Sequence, residues 1–156
     1  MTEVERPGGA VQALRVPCWV DQALIGLGDL MHLVGDGGAL RWRLFWVDFI
    51  GDVRAVWQQG HEKIEAQSRQ SEGLSISWSQ MTALAGTDAQ ILDGEFVGFQ
   101  DSGAPQLQFI MLDSSFWIVW SARADYADLR AAFGQAVMVP HELPASLVEE
   151  PFGRPT

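Results

Sequence analysis

The chain has 156 residues, 47% hydrophobic and 19% charged, with a formal net charge of −10 from 20 acidic against 10 basic side chains. The hydrophobic share excludes a wholly disordered chain, the length fits one domain, and no run of about 18 apolar residues exists to make a membrane-spanning helix. One cysteine excludes an internal disulfide, and the acidic balance argues against a nucleic-acid surface, which needs clustered Lys and Arg.

Residues 1–9 are acidic and polar, without the basic start and apolar stretch of about 7–15 residues that a secretory signal requires, so the expected location is the cytoplasm. Cys18 stands between Pro17 and Trp19 in an apolar run and reads as a small buried hydrophobe; Arg15 is the one base near enough to activate its thiol. From Val20 to Val34 the apolar positions Val20, Ala23, Leu24, Leu27, Leu30, Met31 and Val34 recur at three and four, which predicts a helix with Asp21 near its positive end. Residues 35–38, Gly-Asp-Gly-Gly, stop it. Leu40, Trp42 and Leu44 then alternate with Arg41 and Arg43, and the following apolar residues predict a strand to Ile50 that becomes buried on both faces.

Val53 to Arg69 is expected to be helical, with Gly60 as a break point. Residues 74–78 alternate as a short strand, and Ser77 with Gln80 forms a Ser-x-x-Gln capping box that opens a helix ending near Ala85 and Gly86. Strands are predicted over 91–100, 106–113 and 116–121, separated by the turn-rich residues 101–105 and 113–115, which together describe an antiparallel meander. A last helix is expected over 125–133, capped by Asp125 and lined by Tyr126, Leu129 and Phe133, with Gly134 after it. The order of elements predicts an α+β fold, a mainly antiparallel sheet ending in a three-strand meander with helices packed on one face. The expected domain covers residues 1–148, and 149–156 a flexible tail. Of the seven tryptophans, Trp42, Trp46, Trp57, Trp78, Trp117 and Trp120 fall in or beside these elements, where they serve as core volume or as interface anchors.

Chemistry is sparse. His61-Glu62 has no second histidine at metalloprotease spacing, and His32, His61 and His141 are scattered. There is no nucleophile elbow or phosphate loop; the glycine cluster at 35–38 leads into a strand rather than a helix N-terminus. Asp93 and Glu95 would share a strand face as a carboxylate pair, although Gly94 between them suggests a bend. The expectation is a protein without catalytic residues, metal or cofactor. The feature that departs from the average is charge: residues 70–122 contain no Lys or Arg but hold Glu72, Asp88, Asp93, Glu95, Asp101 and Asp113. If the turns of the meander gather at one edge, that edge carries a negative field that steers a basic partner.

Residues 74–85 (LSISWSQMTALA), 90–99 (QILDGEFVGF) and 116–121 (FWIVWS), followed by 125–133, resemble a group of small bacterial proteins similar to the immunity partners of polymorphic toxins. The likeness covers residues 70–133. It implies a cytoplasmic inhibitor that neutralises a toxin by binding it, with the partner a basic toxin domain. Asp93, Glu95, Asp101 and Asp113 are the expected contact carboxylates and Trp117 the expected anchor. Two alternatives stand beside this reading: a homodimeric structural or regulatory module, and a small-ligand-binding protein with an aromatic pocket.

Overall fold

The computed structural model describes residues 10–144 apart from 21, 35–36 and 123–126. The expected tail and the Asp125 cap lie outside the described residues. Seven strands form one antiparallel sheet: β1 (Ala10–Pro17), β4 (Arg41–Ile50), β5 (Leu74–Ile76), β6 (Gln90–Phe99), β7 (Pro105–Leu112), β8 (Phe116–Ser121) and β9 (Val137–Glu142), in the order β5-β4-β6-β7-β8-β1-β9. The meander is therefore its centre, as the two tight turns require. Among the described residues the fold is α+β, with five α-helices, this sheet and a separate two-stranded one. None of the helices among the described residues is long and apolar enough to cross a membrane.

The main core lies on the helix-bearing face. Leu14, Trp42, Phe96, Phe109 and Val119 of the sheet meet Leu30 of α1 (Leu27–Val34), Ile64 of α3 (His61–Ser68) and Met81 and Leu84 of α4 (Trp78–Ala85). Trp42 sits in the middle. Its ring lies 5.5 Å from that of Trp78 and 5.6 Å from that of Phe109, and its indole N–H donates to the Gly37 carbonyl at 2.8 Å. Such aromatic pairs contribute about 0.5–1.5 kcal/mol beyond their buried area. Gly37 is needed for this contact, because a Cβ there would lie 2.5 Å from the Trp78 ring. The opposite face carries a smaller cluster around Ala13, Ile118 and Trp120.

Local signals hold where they are short. Ser77 Oγ accepts from the Gln80 amide at 2.9 Å and the Gln80 side chain accepts from the Ser77 amide at 3.0 Å. The segment predicted as one helix from Val53 is two, α2 (Arg54–Trp57) and α3, divided where Gln58 takes φ 60 ahead of Gly60. The predicted helix over 20–34 is a correction. Trp19–Val20 (β2) and Ala23–Leu24 (β3) pair as a small hairpin around Gln22 at φ 65, and the helix starts only at Leu27. Its start is set by Asp29, whose carboxylate accepts from the Gly26 amide at 2.8 Å, the returning half of a capping box.

β1 and β9 were not expected, and they complete the sheet. β1 pairs with β8 through Leu14↔Val119 to Pro17↔Phe116 and with β9 through Ala10↔Glu142 to Arg15↔Val137. β4 is bulged between Phe45 and Asp48, with Trp46 at φ 41. The bulge leaves amides that α3 satisfies: Val47 N–H donates to Ser68 Oγ at 3.0 Å and Phe49 N–H to the Glu65 carboxylate at 2.9 Å. A bulge raises local twist, and the sheet curls over its second face.

Gly37→Ala should lower unfolding free energy by about 1–3 kcal/mol through overpacking. Gly38→Ala, whose added carbon meets Trp78 at an ordinary 3.4 Å, should change it by less than about 0.5 kcal/mol. Denaturant titration of both variants checks this; equal losses would separate the close approach at Gly37 from stability.

Candidate functional site

The expected contact residues do not share one place. A meander reverses the chain at alternate ends of the sheet, so consecutive turns face opposite ways. Asp101 lies in the β6–β7 turn, exposed, 3.9 Å from the Arg41 guanidinium, which also donates to its carbonyl. Asp113 lies in the β7–β8 turn. Eight residues of β7 separate the two ends, about 25 Å at strand rise. A single acidic edge containing both is therefore not formed.

Asp93 does join Asp113: its carboxylate accepts from the Asp113 amide at 2.7 Å, which holds the turn at φ 52. Glu95 turns to the second face instead. It accepts from the Trp46 indole N–H at 3.1 Å and from the Gln108 side-chain amide. Gln108 is 2% exposed, and its carbonyl oxygen lies 2.7 Å from His141 Nε2. Because the Gln108 nitrogen faces Glu95, its oxygen faces His141, so Nε2 donates to it. β7 and β9 have β8 and β1 between them, about 14 Å in a flat sheet. The contact exists because the sheet curls. Glu95 is thus a buttress of this curl and its oxygens are engaged within the protein.

Trp117 is 1% exposed and donates its indole N–H to the Ile25 carbonyl at 2.9 Å. It belongs to the core and offers no ring to a partner. Among the described residues the exposed aromatic is Trp19, 56% accessible, on the hairpin that the sequence pattern disguised as helix. It pairs with Leu24, 46% accessible. The hairpin adjoins the Asp113 turn, since the Cys18 amide donates to the Ser115 carbonyl at 2.9 Å. Ile50, 58% accessible, ends β4 at the same end of the sheet, opposite Gln90.

Charge at this end is unevenly balanced. Asp52 is clamped by Arg54 through two oxygens at 3.0 Å, which holds its carboxyl at about 2, and Asp48 meets Arg69 at 2.7 Å. Asp88, Asp93 and Asp113 have no cationic side chain in ion-pair range among the described residues. Nor do three His, Cys, Asp or Glu side chains gather as a metal site among those residues. The end therefore presents apolar side chains beside three uncompensated carboxylates. Comparison with family models, curated proteins and solved structures gives no match to this chain. The site rests on its own geometry.

Burial pushes the His141 imidazole below its ordinary value, partly opposed by the neighbouring Glu142 charge. A histidine depressed in the folded state binds fewer protons there than in the unfolded chain. Its contribution is complete above the unfolded value of about 6.5 and is lost as pH falls through the folded value. Unfolding free energy of the native protein should therefore fall, relative to His141→Gln, as pH drops below about 6.5. Parallel stability curves from pH 8 to about 5 would refute the assignment.

Proposed function

We propose that the protein is a non-catalytic binding protein that docks a basic protein surface on the hairpin end of its sheet. The observation that carries this is the placement at one end of the sheet of exposed Trp19, Leu24 and Ile50 with Asp88, Asp93 and Asp113, which lack cationic partners among the described residues. Aromatic anchors dominate binding energy when a partner desolvates them. Carboxylates around such an anchor raise the association rate of a cationic partner and set its orientation. The two features act at different stages of one encounter.

Together with the likeness of residues 70–133 to immunity proteins, this supports an inhibitor of a basic toxin domain acting in the cytoplasm. The anchor in this reading is Trp19. Asp93 and Asp113 keep the contact role expected from the sequence, while Asp101 and Glu95 lose it to the opposite end and to the buried chain.

The test is affinity capture of the partner from the source cells at low and high salt, followed by titration with variants. Trp19→Ala should cost about 2 kcal/mol, roughly thirtyfold in Kd. The double change Asp88→Lys and Asp113→Lys should slow association and flatten its salt dependence. Asp101→Lys at the far end should leave both unchanged. An Asp101→Lys effect equal to the others would contradict this surface.

A further inference from the structure

Beside the hairpin, on the helix face, a half-open cavity reaches into the core. A cavity of about 140 Å³ lies under β2–β3 and the residues joining α4 to β6. Cys18, Ile25, Leu84, Ile91, Met111 and Trp117 form its wall, all 9% exposed or less. Leu24 and Ala85, both exposed, stand at its mouth. Close packing is the rule in protein interiors, and a void of this size costs stability unless something occupies it.

The lining says what fits. No ionised side chain contributes to it, so a charged guest would lose its hydration without compensation. An engineered apolar cavity of about 150 Å³ in another protein stays dry and accepts benzene, which sets the size class at one aromatic ring. The polar groups of the wall are mostly engaged. Thr87 Oγ1 donates to the Leu84 carbonyl and accepts from the Ala89 amide, and the Trp117 N–H is given to Ile25. Gln90 is half-buried, and its side-chain amide has no hydrogen-bond partner among the described residues.

We propose that this cavity is a binding site for an uncharged, single-ring-sized apolar molecule carrying one hydroxyl or ring N–H, which the Gln90 amide holds at the mouth. The site is separate from the docking surface in its chemistry: it needs enclosure and no charge. Cys18, the single cysteine of the chain, is a built-in reporter, since burial raises its thiol and a guest shields it further.

Phenol is the probe, benzene and benzoate its controls. With methyl-labelled methionine, phenol should produce a saturable shift at Met111 and leave Met138 on β9 unmoved. It should slow alkylation of Cys18 severalfold. Benzoate should do neither. Gln90→Leu should weaken phenol severalfold and leave benzene unchanged. Cys18→Leu, which narrows the cavity, should weaken both; Leu84→Phe serves if that variant fails to fold. Absence of a saturable Met111 shift with either phenol or benzene in the wild-type protein overturns the proposal, as does equal binding of benzoate or undiminished binding in the narrowed variant.

Discussion

The curl of the seven-stranded sheet is the constraint on which the rest of this structure depends. Among the described residues only two polar side chains are buried, Ser68 and Gln108, and each compensates a departure from a flat sheet. Ser68 accepts the Val47 amide that the β4 bulge removes from the ladder, and Gln108 joins Glu95 on β6 to His141 on β9. An unpaired buried amide or carboxamide costs about 1–3 kcal/mol, so an apolar residue at either position would leave its partners unsatisfied. The curl also explains the mixed pattern of β1. β1 presents Leu14 and Val16 to the main core and Ala13 to the second cluster, because both of its faces are covered in part.

The same topology decides which carboxylates act together. An antiparallel meander sends its turns to alternate ends, so a segment without a single base does not produce one acidic edge. It produces an Asp101 end, where Arg41 stands nearby, and an Asp113 end, where Asp93 braces the turn and, among the described residues, Arg54 and Arg69 pair with Asp52 and Asp48 but no cation pairs with Asp88, Asp93 or Asp113. At the second end the chain adds a hairpin that gives Trp19 and Leu24 to solvent. Large apolar side chains left exposed beside carboxylates without a cationic partner are costly for a protein that acts alone and useful to one that waits for a partner.

How much of this was legible in the sequence follows from range. Signals that act over three or four residues read correctly: the Ser77–Gln80 box, the Gly60 break, the turn at 113–115, and the turn at 101–105 but for Pro105, which opens β7. The strand β1 did not, since its partners β8 and β9 lie some hundred residues away and apolar side chains on both faces hide its period. β9 suffers from the same masking and from Pro140, which a strand tolerates at an edge position such as this. The segment from Val20 failed differently. Its apolar spacing fits a helix, yet Leu24 points to solvent and Asp29 starts the helix after Gly26. The site was half legible for the same reason. The base-free run identified the acids, but assigning each to an end required the strand order. Trp117 and Trp19 exchange roles only once the hairpin is seen.

The docking surface we propose is the hairpin end and not the acidic segment as a whole. Titration of the isotope-labelled protein with a short amphipathic peptide of leucine and lysine, followed by amide chemical shifts, tests it most directly. Salt-sensitive shifts should be confined to the Trp19–Leu24 hairpin, Asp88 and the Asp113 turn, with the Asp101 turn silent. Shifts centred on Asp101, or spread evenly over all the acidic residues, would contradict it.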